Sequence, residues 1–202
     1  MIIEIDENQM RDIRRALRNV PNGVNIAIFR GLKQALSTAK TQGAKLVGQE
    51  LALKAARIKK DMHPEGPSVS NLSAALRVKS RPPGLMQFGA KAQRSGGVKY
   101  KLWRRGGAAH APHAFIAPMK KGNVHVAQRA RTMKRGYRAR PAQPINYSQL
   151  PKSHRFKIAV LYGPRISSIF NEKKPEVERL ASEAMARKID TEAEKILRQN
   201  FG

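Results

Sequence analysis

The sequence predicts an α+β fold, with a long N-terminal helix packed on a mainly antiparallel sheet and a second helix at the C-terminus. Three observations predict it. Apolar residues recur at three- and four-residue steps from Val24 to Val47, and again after Pro175. Between these stretches, apolar and polar residues alternate with a period of two. The first spacing lines up side chains on one stripe of a helix, the second on one face of a strand. At 202 residues with 41% apolar content, one domain over 1–202 with a substantial core is expected.

A short helix is expected from Glu7 to Leu17, ending at the turn cluster Asn19-Val20-Pro21-Asn22-Gly23. In the long helix that follows, Val24, Ile28, Leu32, Ala35, Leu36, Ala39, Gly43, Leu46 and Val47 share one stripe. Ala35, Ala39 and Gly43 are small enough there to let another element approach closely. From Glu50 to Met62 the pattern stays helix-compatible but turns basic at Lys54, Arg57, Lys59 and Lys60, until Pro64, Gly66 and Pro67 stop it.

The middle of the chain reads as strands. Leu76 and Val78 alternate with Arg77 and Lys79. Val98, Tyr100 and Leu102 alternate with Lys99, Lys101 and Trp103. Val124 and Val126 flank His125, and Phe156, Ile158, Val160 and Tyr162 form the last such run. An antiparallel sheet covered on one side buries one set and exposes the other, so several outer faces are lysine and arginine. Two stretches are expected to be poorly ordered in the free chain: Ala90 to Val98, and a basic, proline-containing loop at about 130–152. Gly163-Pro164 then breaks the last strand, with Pro164 suited to a first helical turn. Val177, Leu180, Ala181, Ala184, Met185, Ile189, Ala193, Ile196 and Leu197 form the apolar face of the terminal helix.

Charge dominates the composition: 40 Lys and Arg against 14 Asp and Glu, for a net +26. Residues 1–53 carry +3, residues 54–140 carry +19 and residues 141–202 carry +4, which together make the +26. Self-repulsion of this size calls for a negative partner, either nucleic acid or an acidic protein face. Aromatic residues make up only 5% of the chain, which gives little support to base stacking as in single-strand binders. There is no cysteine, so no disulfide and no thiolate metal site is expected. The acids in Met1–Glu7 do not suit a secretory leader, and no apolar run reaches the roughly 18 residues of a membrane span. A protein made in a cytoplasm, without a membrane partner, is expected.

Catalytic patterns are missing. The chain has no GxxxxGK[ST] phosphate loop, GxGxxG, GxSxG or HExxH. No acid pairs with a histidine at a suggestive spacing. His110 and His113 stand three apart but flank Pro112 in a Gly/Ala-rich stretch, without a carboxylate nearby. The reading is of a protein with no enzymatic activity, no cofactor or metal, and no small-molecule substrate. On composition alone, the alternative to a structural role is a stand-alone basic protein that binds nucleic acid without sequence preference.

One stretch goes further. His113-Ala114-Phe115-Ile116-Ala117-Pro118-Met119, followed by Lys120-Lys121-Gly122-Asn123-Val124-His125-Val126-Ala127-Gln128-Arg129, resembles the GAFI and NGRWHVMQR stretch of the lambda-like minor tail protein Z family of bacteriophages. Phe115, Ile116, His125, Val126, Gln128 and Arg129 carry the likeness. His113 replaces a glycine, and the loop at 130–152 is longer. The order of helices, strands and basic loop is also similar. The resemblance implies a tail completion protein at the head-proximal end of a virion's tail. It implies a homo-oligomeric ring, taken as a hexamer, which joins other tail and connector proteins, and whose basic faces can then meet double-stranded DNA or acidic patches on the adjoining rings. On that reading Arg131, Lys134, Arg135, Arg138 and Arg140, with Lys99 and Lys101, are expected to contact DNA or an acidic partner. Ala35, Ala39 and Gly43 are then expected at subunit contacts.

Overall fold

The computed structural model describes residues 1–3, 7–68, 71–119, 122–129, 140–141 and 158–201. The fold is mixed α+β and comprises two compact units. Unit 1 holds Met1–Val47, Ala55–Lys79 and Ser167–Gly202, and unit 2 holds Gly48–Lys54 and Ser80–Ile166.

Unit 1 is built on two long helices, α2 (Gly23–Glu50, its last turn belonging to unit 2) and α4 (Ile166–Phe201). A short α1 (Glu7–Ala16) precedes α2, and Asn22 adopts φ 58 in the turn between them. The expected α2 stripe is buried from Ile28 to Val47, and Ala27, Gly31 and Ala44 join it. Small residues on α2 let α4 come close. A Cβ on Gly43 would lie 2.7 Å from Phe170 Cε2 and 3.6 Å from Met62 Cε, and one on Gly31 would collide with Ile189. The large apolar side chains of α4, among them Phe170, Val177, Met185 and Ile189, are buried. Each such side chain contributes roughly 1.5–3 kcal/mol through burial. That burial accounts for a continuous α4 through Pro175, although an interior proline costs about 3 kcal/mol and leaves the Asn171 carbonyl without its helical donor.

The sheet of unit 1 has the order β1-β3-β2, formed by Ile2–Ile3, Ala74–Val78 and Met62–Glu65, all antiparallel. The helix expected to run to Met62 is therefore corrected. A break at 51–54 separates α2 from α3 (Ala55–Lys60), and Met62 begins a strand. Pro64 is tolerated there because β2 is an edge strand with one unpaired side. Arg57 and Asp61 pair at 2.8 Å across the end of α3, with Asp61 buried. A second ion pair stitches the helices together: buried Glu192 of α4 meets Arg30 of α2 and, at 2.7 Å, Lys188.

Unit 2 contains two antiparallel sheets. One has the order β7-β8-β10-β9, from Ala114–Pro118, Val124–Arg129, Ile158–Val160 and Arg140–Pro141. The other has the order β4-β5-β6, from Lys91–Ala92, Val98–Tyr100 and Ala109–Ala111. The stretch from Ala90 to Val98, expected to be poorly ordered, is a hairpin instead. Gly96 and Gly97 take φ of 90 and 80, which closes the turn; a Cβ on Gly97 would lie 2.5 Å from the Ala111 carbonyl oxygen. A 3-10 turn, η1 (Leu85–Phe88), buries Leu85 and Phe88, and Phe88 packs directly over Gly163.

Two predictions follow from the α2–α4 contact. Gly31→Val is expected to lower unfolding stability by about 2–3 kcal/mol through overpacking, and Ile189→Ala in the same chain should restore part of it by making room. Equilibrium denaturation of the single and double variants measures both. The hydrogen bonds from Lys188 and Arg30 hold the Glu192 carboxyl down from its ordinary 4.5 to about 2. Its contribution is thus fully present above about pH 4.5 and is lost as pH falls toward 2. Arg30 is half-exposed, so solvent screens the pair. Glu192→Gln should cost roughly 0.2–1 kcal/mol at neutral pH and flatten the acid limb of a stability–pH curve.

Candidate polyanion-binding site

Charge divides between the units as sharply as the fold does. Unit 2 holds half of the 40 lysines and arginines but only Glu50 of the 14 acids, a net +19 out of +26. Unit 1 keeps the other +7 and holds the pairs Arg30–Glu192, Arg57–Asp61, Arg77–Glu65 and Lys188–Glu192. No Asp or Glu occurs between Glu65 and Glu172. Whatever neutralises this surface has to come chiefly from elsewhere.

The small sheet β4-β5-β6 concentrates the charge. Register puts Lys91 opposite Lys99, and Lys99 opposite His110, so the three stand in one row across the strands. Directly opposed residues share a face, with strands about 5 Å apart. All three are exposed, as is Lys101 just past the end of β5, while Val98 and Tyr100 are buried. Lys91, Gln93, Lys99 and Lys101, with Gly89, Tyr100 and Ala108, line an open basin of about 400 Å³. The His110 ring leans back on the hairpin turn, its Nε2 3.0 Å from the Gly96 carbonyl oxygen. Three lysines thus line one depression, and among the described residues no carboxylate lines it with them.

Beyond β5 the chain is pinned to the end of α2. The Ala52 N–H donates to the Leu102 carbonyl at 2.9 Å, the Arg104 N–H donates to the Glu50 carbonyl at 2.7 Å, and Arg104 Nε donates to the Gly48 carbonyl at 2.6 Å. Trp103 lies between these anchors, bridged to Leu51, and is nevertheless 43% exposed. Arg104 and Arg105 beside it are exposed as well. The indole is exposed, as Lys99 and Lys101 are.

The residues singled out from sequence do not fall together. Lys99 and Lys101 belong to the basin. Arg131, Lys134, Arg135 and Arg138 lie outside the described residues, as does most of the loop at 130–152; Arg140 starts β9 opposite Val160. The ends of the segment 130–157 meet, because Arg129 pairs with Ile158. Phe115, Ile116, His125, Val126, Gln128 and Arg129 form the β7–β8 hairpin, with Ile116 opposite Val126 and Val126 and Gln128 buried. These residues build the sheet that the basic surface rests on. Ala35, Ala39 and Gly43 are buried within unit 1, where the element that approaches Gly43 is the chain's own α4. The sequence reading does not single out Lys91, and it weighs His110 only with His113 as a metal pair. The Gly96-Gly97 pair was the available signal, since a tight turn there aligns Lys91 with Lys99.

Among the described residues, no group of three His, Asp or Glu is placed to hold a metal ion, and no helix is long and apolar enough to cross a membrane. An open groove in unit 1 is lined by Gln34, Thr38, Gln42, Arg187, Lys188 and Thr191.

A family model described as prophage minor tail protein Z matches residues 7–201. No curated protein and no solved structure matches the chain at a significant level.

Opposed lysines repel, so Lys91→Ala should raise stability by about 0.2–1 kcal/mol at low salt. The gain should vanish near 1 M salt, where the screening length drops to about 3 Å. Urea titrations of the variant and the parent chain at both salt levels test this.

Proposed function

The chain belongs to the prophage minor tail protein Z family, and from that premise we propose that it completes the head-proximal end of a phage tail as one subunit of a ring. The family is a structural one and not an enzyme family, so membership places the chain among bacteriophage tail proteins and hence in the virion. The finer role is our reading: a hexameric ring that joins neighbouring tail and connector rings, with unit 2 turned toward a polyanion. The observation that carries it is the +19 charge of unit 2 against a single acid.

A ring supports that charge in a way a free monomer does not. Copies around one axis present the same basic surface to a shared negative object, and each phosphate contact releases counterions. The basic segment bearing Arg131, Lys134, Arg135, Arg138 and Arg140 lies in sequence between Arg129 of β8 and Ile158 of β10, with Arg140 itself pairing in β9. It serves in this reading as the reach toward packaged double-stranded DNA. The basin around Lys99 and Lys101 meets DNA or an acidic face of an adjoining chain.

The experiment replaces those five loop residues with glutamine in the phage genome. Particles are then scored for DNA retention and for joined tails. Loss of either, with normal amounts of folded protein, is the expected result; unchanged retention and joining would reject the role. Steep salt dependence of random-duplex binding, with no self-assembly and no presence in particles, would instead favour the stand-alone nucleic-acid-binding protein.

A further inference from the structure

The outer face of α4 carries a feature of opposite sign to the basin. At about 100° per residue, Glu172, Glu176, Glu183, Asp190 and Glu194 fall within about 40° of one another around the helix. All five are exposed, whereas Ala181, Met185, Ile189 and Ile196, on the opposite side, are buried. The stripe runs for roughly 33 Å along the axis. Arg179 and exposed Arg187 flank it, each about 20° from its edge, and Arg179 pairs with Glu183 at 2.5 Å, so the stripe is acidic without being purely so. Half-buried Ala186 and Leu197 border it.

We propose that the Lys91–Lys99–Lys101–Trp103 face of unit 2 docks on the acidic stripe of α4 in a second copy of this chain. The inference rests on the ring reading above and names the interface that would build it. Three observations favour a second copy over DNA at this face. The chain gathers five of its acids into one stripe while it leaves unit 2 almost without any. The cross-strand row Lys91, Lys99 and His110 sets cations side by side, an arrangement that apposed carboxylates relieve. Trp103 is pinned and exposed among arginines, the composition of an interface anchor. Ala186 and Leu197 offer that indole apolar surface, which a phosphate backbone does not. Because the two surfaces differ, copies join head to tail, and such contacts close into a ring when the rotation allows it.

The test uses the full chain and charge reversal. A sheet variant carries Lys91→Glu, Lys99→Glu and Lys101→Glu; a helix variant carries Glu176→Lys, Asp190→Lys and Glu194→Lys. Sedimentation reports assembly, circular dichroism reports folding, and Trp103, the sole tryptophan, reports the interface by its emission. The parent chain should assemble with Trp103 emission shifted to shorter wavelength. Each variant alone should assemble at least about tenfold more weakly. An equimolar mixture should regain parental assembly and the emission shift, because each acidic sheet then finds a basic helix and each basic sheet an acidic one. If both variants are folded yet the mixture stays apart while the parent assembles, the interface lies elsewhere and the ring reading survives. A parent chain that remains monomeric at high concentration sinks both readings. An emission change produced by short duplex DNA, equal in parent and helix variant, with an inert mixture, gives this face to nucleic acid and overturns the proposal.

Discussion

Like charges repel at every spacing a fold of this size permits, and the two units meet that constraint differently. Unit 1 mixes its bases with acids and ties them into pairs such as Arg57–Asp61 and Glu192 with Lys188 and Arg30. Unit 2 has Glu50 alone among its described and undescribed residues. Its backbone ladders and apolar core therefore carry the folding energy against the repulsion, with Phe88, Val98, Tyr100, Val126 and Leu161 buried. The surface that remains is a standing demand for negative charge. The tail role, the basin and the proposed contact between copies all answer that demand.

The α2–α4 pair makes such a surface affordable by giving the chain a framework that does not depend on it. Gly31 and Gly43 bring the helix axes close enough for Ile189 and Phe170 to seat on backbone. Burial along that seam outweighs the proline inside α4. The seam also decides which side of α4 looks outward. With Met185 and Ile189 turned in, the acids half a turn away are turned out, so core packing and the acidic stripe are two consequences of one helix phase.

Much of this architecture was legible in the residue order. The extent of α1, the start of α2, the buried stripe from Ile28 to Val47, and strands β3, β5, β8 and β10 follow from local periodicity, because each element's own side chains report its buried face. Reading failed where distant partners decide. Residues 51–54 leave the helix because Leu51 bridges Trp103 and Ala52 bonds Leu102. Met62 becomes a strand because Val78 lies opposite it. The hairpin at 91–100 was hidden by glycines that suggest looseness in isolation yet supply the turn geometry in the fold. The family-like residues were recognisable as a motif, but only pairing shows that they hold a sheet together.

The sequence by itself determined the sign and location of the charge, the acid-free run from Glu65 to Glu172, the two helical stripes and the motif of the tail family. These are properties of composition and short spacing, and no folding step alters them. Tertiary structure alone decided that Lys91, Lys99 and His110 are neighbours, that Trp103 is pinned outward, and that the small residues of α2 receive α4. Cross-strand register and helix–helix seating join residues far apart in the chain, and their energies depend on partners that no local pattern encodes.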